Sequence, residues 1–203
     1  MASSPLLQQL IEALRCLPGV GPKSAQRMAF HLLESDREGA LRLGAVLEEA
    51  VQRIGRCERC RTFSETPICA TCADPSRDQG LICAVENPID AEALEQATGY
   101  RGNYFVLMGR LSPLDGIGPE DLALDQLDHR LAEESVRELI IATNPSVEGE
   151  ATAQYLSAMA RRRGVTATRI AHGVPLGGEL EFTDASTLAH AFAGRRSLAE
   201  GSS

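Results

Sequence analysis

The chain has 203 residues, with 20 Lys and Arg against 28 Asp and Glu, and a formal net charge of −8. This length suffices for one large or two small domains, and 43% hydrophobic with 24% charged residues is ordinary for a globular protein, which excludes wholesale disorder. No apolar run approaches the roughly 20 residues that cross a bilayer, and residues 1–16 lack the basic head of a signal peptide, so we expect neither a membrane nor a secreted protein.

Hydrophobic periodicity predicts helices first and then alternating strands and helices. The first part should contain three helices, at residues 5–16, 23–33 and 38–54. Short apolar runs later in the chain predict buried strands, at residues 81–85, 104–109, 138–143 and 167–172. Amphipathic stretches predict the remaining helices, at residues 88–98, 119–135, 146–163 and 185–196. Strands alternating with helices predict an α/β fold, with a mostly parallel sheet covered by helices on both faces.

The turn between the first two predicted helices, LPGVGPKSAQR, has features of a phosphate site. Gly19 and Gly21 allow a tight turn with positive φ and leave backbone N–H groups uncovered. Pro22 is suited to open the next helix, whose N-terminal dipole and free amides attract anions. Lys23 and Arg27 fall four residues apart on one face of that helix. The alternative is a Gly-Pro turn between two core helices with two solvated cations.

This turn resembles the helix-hairpin-helix motif, which binds the duplex backbone without sequence preference, and the resemblance implies DNA contacts by Lys23 and Arg27.

The negative net charge alone argues against a protein whose whole surface binds nucleic acid. However, residues 1–62 hold 9 basic and 7 acidic residues, whereas residues 63–203 hold 11 basic and 21 acidic ones. This asymmetry predicts two functional surfaces with different partners.

Four cysteines have the spacing of a metal site. Cys57 and Cys60 form one C-x-x-C knuckle, and Cys69 and Cys72 form a second. Two knuckles that turn four thiolates toward one point predict a tetrahedral zinc site, structural because its coordination sphere is closed. The alternative is two disulfides, which the expected reducing compartment disfavours. Cys16 and Cys83 are left over, and we expect both to be small buried hydrophobes.

Acidic and amide side chains follow two of the predicted strands. Glu86 comes directly after the first strand, and Asn144 follows the third, with Glu148 and Glu150 at the start of the next helix. Because the carboxyl ends of parallel strands share one edge of the sheet, these side chains are a candidate site for a hard cation such as Mg²⁺. The alternative is that Glu148 and Glu150 only cap the helix N-terminus, where negative charge is favourable.

A lone Glu after the first strand, a strand ending in Gly109 and an acidic cluster after a later strand resemble a Toprim domain. Catalytic Toprim enzymes carry Asp-x-Asp, whereas this chain has the Glu-Gly-Glu of residues 148–150. Topoisomerases also need a nucleophilic tyrosine in a separate domain. Tyr100, Tyr104 and Tyr155 all fall in the sheet region, so none of them is a good candidate.

The order of hairpin, four-cysteine zinc finger and Toprim region, with the runs TNPSVEGEAT and PLGGELEFTD, resembles the RecR family of bacterial recombination mediators over essentially the whole chain. The resemblance implies four regions: a helix-hairpin-helix region, a four-cysteine zinc finger, a Toprim domain, and a C-terminal Walker B-like segment with a helix. We expect their bounds at residues 1–54, 55–76, 77–172 and 173–203.

The resemblance further implies a non-enzymatic DNA-repair protein of the bacterial cytoplasm, associated with the nucleoid when active. Such a protein acts with RecO, and in another branch RecF, to load recombinase onto single-stranded DNA. It implies a dimeric or tetrameric ring around DNA, with zinc on the four cysteines. The acidic site of Glu86, Asn144, Glu148 and Glu150 is linked more to partner docking than to bond cleavage.

Two other functions compete with this interpretation. The acidic cluster permits a metal-dependent Toprim nuclease or strand-passage enzyme, and the cysteines permit a zinc-ribbon regulator that does not contact DNA. The Walker B-like run LEFTD, at residues 180–184, does not predict autonomous ATP hydrolysis, because no Gly-x-x-x-x-Gly-Lys-[Ser/Thr] sequence accompanies it.

Overall fold

The structure is a computed structural model that describes residues 4–133, 135–171 and 173–195. The chain divides into two compact units, one ending at Gly55 and one beginning at Arg56. Among the described residues, none of the helices combines the length and apolarity needed to cross a bilayer. Three predicted elements include a residue outside the described ones: residue 134 within the helix predicted at 119–135, and the final residues, 172 and 196, of the last predicted strand and helix.

The first unit is helical, as predicted. Its helices are α1 (Pro5–Leu14), α2 (Pro22–Glu34) and α3 (Arg37–Arg53). Proline at the first helical position starts both α1 and α2, where its missing N–H costs no hydrogen bond. Asp36 caps α3 by accepting a 2.8 Å hydrogen bond from the Gly39 amide. The three predicted helices are therefore confirmed to within two residues at each end.

The second unit alternates strands and helices. The first strand begins with Gly55, the last residue of the first unit. In chain order the elements are β1 (Gly55–Arg56), β2 (Phe63–Ser64), α4 (Ala70–Ala73), β3 (Asp78–Val85), α5 (Pro88–Thr98), β4 (Gly102–Val106), α6 (Leu124–Leu131), β5 (Glu138–Ala142), α7 (Val147–Arg162), β6 (Thr166–Arg169), a 3₁₀ turn (Leu180–Phe182) and α8 (Ala185–Ala193). β1 and β2 pair with each other, and β3 to β6 form the main sheet.

The main sheet is entirely parallel, in the order β4-β3-β5-β6. Val85 at the end of β3 is aligned with Val106 of β4 on one side and with Ala142 of β5 on the other. The segments that follow these strands therefore leave the sheet at one edge, which brings the residues after β3 and β5 together.

Alternate residues of each strand face opposite sides of the sheet, and both sides are covered. On the first side, Ile82 and Leu139 belong to an apolar cluster with side chains of α6 and α7. On the second side, Cys83 and Val85 belong to a cluster with Ala91 of α5 and the four cysteines of the predicted zinc site. The cysteine segment (residues 57–72) thus forms part of one covering layer of the sheet.

Several predicted element ends were wrong: the strand predicted at 167–172 ends at Arg169, and the helix predicted at 185–196 ends at Ala193. Three further differences have local reasons. The strand predicted at 104–109 ends at Val106, because the backbone turns through left-handed φ at Met108 (62°). The helix predicted at 119–135 is only α6, because Ala123 has a φ of 50° and interrupts any helix before Leu124. β3 begins three residues early, since the Asp78 amide bonds to the Arg101 carbonyl at 2.8 Å.

Candidate functional site

The four predicted zinc ligands meet in the structure. The sulfur atoms of Cys57, Cys60, Cys69 and Cys72 all lie within 4.8 Å of one another, and all four side chains are buried. Backbone amides point at them: the Cys69 amide donates to Cys57 Sγ at 3.3 Å, and the Cys72 amide to Cys69 Sγ at 3.4 Å. N–H groups directed at sulfur stabilise thiolates, so the two knuckles are arranged to hold a cation.

The pKa values of the clustered cysteine thiols are shifted in opposite directions. Burial raises the pKa of the Cys57 thiol, but amide donors, led by that of Cys69, outweigh burial and lower this pKa to about 6. The hydrogen bond of the Cys60 thiol with Cys72, and then burial, raise the pKa of Cys60, and burial raises that of Cys69 to about 11. Four thiolates this close repel one another, and a Zn²⁺ ion offsets that repulsion. The donor set fits a structural zinc held by four sulfurs.

Arg61, one residue after the first knuckle, joins the cysteine segment to the edge of the sheet. Its buried Nη1 donates to the Val106 carbonyl at 3.1 Å and to the Leu107 carbonyl at 3.0 Å, and its guanidinium lies 5.7 Å from the Phe105 ring centre. The Val106 amide in turn donates to the Cys60 carbonyl at 2.8 Å. The first knuckle therefore covers the outer edge of β4, which would otherwise expose unpaired backbone groups.

Glu86 and Asn144 meet at the carboxyl edge of the sheet, as predicted. Glu86 is only 1% exposed, and its two oxygens accept hydrogen bonds of 2.8 Å from the backbone amide and the side-chain amide of Asn144. Arg110 lies beside this pair, 3.7 Å from a Glu86 oxygen and 3.9 Å from a Glu148 oxygen. The cation that faces these carboxylates is thus a side chain of the protein itself.

Glu150 does not join the other acids. It forms an ion pair with Arg169 of β6, while Ser146 caps α7 by accepting from the Gly149 amide at 3.1 Å. In the described part of the chain, the zinc cysteines form a metal-compatible cluster, whereas the three glutamates do not. Because amide donors hold both Glu86 oxygens and Arg110 supplies the positive charge, these residues do not fit a magnesium ion as they stand.

The position between Glu148 and Glu150 has no room for a side chain, so a glycine is required there. A Cβ atom at this position would lie 2.0 Å from the Asn144 carbonyl oxygen and 3.1 Å from Glu86 Oε1. The Gly149 carbonyl also accepts a 2.9 Å hydrogen bond from the Thr143 hydroxyl. The first turn of α7 therefore packs directly on the pair of Glu86 and Asn144, a close approach that the sequence alone did not reveal.

The hairpin presents an open helix end. Gly19 has the expected positive φ of 77°, but Gly21 has a φ of −80°, so the expectation of positive φ at Gly21 was wrong. Gly21 is the N-cap residue of α2, and no side chain caps this helix. Lys23 and Arg27 are both exposed on α2. The free amides of the first turn and the two cations are accessible together, as an anion site requires.

The two remaining cysteines differ. Cys83 is buried in β3, and burial raises its pKa to about 12, so it behaves as the expected hydrophobe. Cys16 is exposed in the turn after α1, so the expectation that it is buried was wrong.

The Walker B-like run is exposed and ends at a helix cap. Its side chains Leu180 and Phe182 are solvent-accessible. Asp184 accepts a 2.9 Å hydrogen bond from the Thr187 amide at the start of α8, and hydrogen bonds from the Ser186 and Thr187 side chains hold its pKa below its usual range. The Asp184 carboxylate thus acts as a helix cap.

Comparison with known proteins accounts for nearly the whole chain. The family models for the RecR helix-hairpin-helix, the RecR four-cysteine zinc finger domain, the Toprim domain and the RecR C-terminal region match residues 7–51, 54–74, 80–171 and 173–196, respectively. Recombination protein RecR of Methylococcus capsulatus (strain Bath) is 59% identical over 196 residues, which cover 97% of this chain and 99% of that protein. This identity over almost the full length of both proteins places the chain in the RecR family.

Proposed function

We propose that this protein is a non-enzymatic mediator of DNA recombination and repair. In this proposal, several copies form a dimeric or tetrameric ring on DNA in the bacterial cytoplasm, at the nucleoid. The ring acts with RecO, and in some pathways RecF, to load recombinase onto single-stranded DNA. Membership of the RecR family supports the role in recombination.

The observation that carries the proposal is the open N-terminus of α2 beside two exposed cations. Gly21 provides no capping side chain, and Lys23 and Arg27 are exposed on the same helix. Such a site binds a phosphate through amides, dipole and charge, and it has no group suited to reading a base. It therefore supports binding of the DNA backbone regardless of sequence.

The surface of α3 supports assembly of several copies. None of its residues is buried, and Leu41 and Val51 are 77% and 84% exposed. Further apolar side chains lie exposed on the same helix, at Leu43, Val46 and Leu47. An exposed apolar helix face of this extent is typical of a protein interface. A ring also strengthens a weak contact of two cations per copy, since repeated sites raise the effective concentration of phosphate.

The acidic edge supports a docking role over catalysis. Glu86 is buried under Asn144 and Arg110, whereas Glu148 remains partly exposed near Arg110. The acidic excess of residues 63–203 would repel DNA and attract a basic partner surface. We therefore place RecO at this edge in the proposal, with zinc in a purely structural role.

The test measures DNA binding and DNA cleavage together in magnesium, with and without purified RecO. We expect salt-dependent binding and intact DNA. Lys23→Ala and Arg27→Ala should each weaken binding to every sequence and lower the salt slope by about one. Arg101→Ala is the matched control, because Arg101 is also exposed but lies in the second unit.

Two results would contradict the proposal. Binding that is unchanged in the Lys23 and Arg27 variants, with RecO present, would remove the hairpin from the DNA interface. Cleavage that is lost in Glu86→Ala would instead show that the protein is a Toprim nuclease or strand-passage enzyme.

A further inference from the structure

Arg130 of α6 is a buried cation without a carboxylate partner in the described part of the chain. Arg130 is only 8% exposed, and its Nε has no hydrogen-bond partner among the described residues. The nearby carboxylate of Glu133 pairs instead with Arg59, at 3.7 Å. A buried guanidinium without an anion is costly, because desolvation of the charge is not offset by a Coulomb attraction. The structure must therefore supply negative charge to Arg130 in another way.

One source of that charge is the cysteine cluster, because Arg130 is hydrogen-bonded to its first knuckle. Arg130 Nη1 donates to the Arg59 carbonyl at 2.8 Å, which lies between the two cysteines of the first knuckle, and to the Tyr104 carbonyl at 3.0 Å. Burial and the charge of Arg59 lower the pKa of Arg130. The charges of Cys72, Glu133 and Cys60 act in the opposite direction, that of Cys72 most strongly. The guanidinium thus lies within electrostatic reach of the zinc ligands.

The loaded zinc site would carry the charge that Arg130 lacks. Zn²⁺ with four thiolates has a net charge of about −2. This charge lies inside the apolar cluster on the second side of the sheet, where Cys57 and Cys60 are fully buried. In such surroundings opposite charges attract far more strongly than in water. The zinc–thiolate anion and buried Arg130 would therefore each reduce the free-energy cost of burying the other's charge.

We propose that Arg130 is the internal counter-cation of the zinc–thiolate site, and that it also fastens the first cysteine knuckle to β4. The two roles use different parts of the guanidinium: its charge acts on the thiolates, and its Nη1 holds the Arg59 and Tyr104 carbonyls. This role is independent of DNA binding, so it stands or falls separately from the proposed mediator function.

The test compares how fast zinc leaves the full-length protein. Arg130→Gln keeps a hydrogen-bond donor but removes the charge, whereas Arg130→Lys keeps the charge but removes the forked geometry. Arg77→Gln is the control, because Arg77 is equally buried but already pairs with Glu95. Zinc per chain is measured by mass spectrometry of the metal, and its transfer to a chelating dye is followed by absorbance.

We expect Arg130→Gln to lose zinc at least about 10-fold faster than the wild-type protein, as is usual when a group behind a metal ligand is removed. Arg130→Lys should lie closer to wild type than Arg130→Gln, and Arg77→Gln should match wild type. Equal zinc loss from Arg130→Gln and Arg77→Gln would overturn the proposal. Slower loss from Arg130→Gln than from Arg130→Lys would also overturn it, since charge would then not be the cause.

If Arg130→Gln does not fold, Arg130→Lys decides alone. Because it retains the charge, it should fold and hold one zinc per chain. Folded Arg130→Lys with less than half an equivalent of zinc would refute the role of the charge.

Discussion

The two units of the chain differ in how much of their own apolar surface they bury. Among the described residues up to Gly55, Ala25 and Ala29 are the only buried ones. From Arg56 onward, two apolar clusters cover the two sides of the sheet, and the buried polar residues Glu86 and Arg61 have hydrogen-bond partners.

The stability of the second unit and the assembly of the first should therefore depend on different interactions. The second unit has a core of its own, completed on one side by the cysteine cluster, so its stability should depend on zinc and on close packing. The first unit leaves a helix face uncovered, so its apolar surface is available to a partner. Substitutions in the second unit should therefore change folding, and substitutions on α3 should change assembly.

Loss of zinc should have the largest effect. Structural zinc in small cysteine sites contributes on the order of 10 kcal/mol to folding, and here the cysteines are part of the core over β3. Chelation or Cys69→Ser should therefore expose the amides of residues 56–106 to hydrogen exchange, measured by mass spectrometry. Cys16→Ser is the control, because Cys16 is exposed. Unchanged exchange in the metal-free protein would show that the sheet does not depend on the metal.

Gly149→Ala should destabilise the second unit by about 3 kcal/mol, because the new Cβ overlaps the Asn144 carbonyl and only backbone movement relieves the clash. Gly44→Ala in α3 is the matched control. A Cβ there meets nothing within 4 Å, and alanine favours a helix, so we expect it to stabilise by about 0.5–1 kcal/mol. Urea unfolding measures both changes. A neutral Gly149→Ala would mean that α7 does not pack tightly on the acidic edge.

Arg110→Ala should lower the free energy of unfolding by about 1 kcal/mol at low salt, because it removes the cation that faces buried Glu86. The effect should be modest because the Arg110 side chain is 47% exposed, so water screens its charge. Arg110→Lys should retain most of the stability.

Thermal unfolding in increasing Mg²⁺ tests the acidic edge separately, and the wild-type protein should show no specific stabilisation. A rise in melting temperature with Mg²⁺ that disappears in Glu86→Gln would show that the acidic edge binds the metal after all.

Substitution on α3 should have the smallest effect on the folding of one copy. Leu47→Glu and Val51→Glu lie on an exposed face, so the free energy of unfolding of the single chain should change by no more than about 0.5 kcal/mol. Their effect should instead appear as a smaller mass in light scattering at micromolar concentration, because charge at an apolar interface opposes association. Glu49→Gln, also on α3, is the control. An unchanged mass would exclude this face from the assembly.

Local patterns in the sequence predicted most of the elements and the zinc cluster. The spacing of Cys57 and Cys60 brings two thiols together within one turn, so the knuckle is encoded by neighbouring residues. The predictions of Glu86 and Asn144 at one sheet edge succeeded because parallel strands share that edge. Predictions failed where φ changed locally, as at Ala123 and Met108, since nothing in their side chains indicates a left-handed backbone.

Residues close together in the chain encode the order of helices and strands, the four zinc ligands and the basic turn, so these could be predicted. Which charges face one another depends on packing between distant parts of the chain. Arg61 and Arg130 reach carbonyls 45 and 71 residues away, and Arg110 takes the place beside Glu86 that a cation was expected to fill. The contacts of Arg61 and Arg130 form only when the cysteine segment and the sheet pack together, and that of Arg110 only when the sheet itself assembles, since each joins residues far apart in the chain.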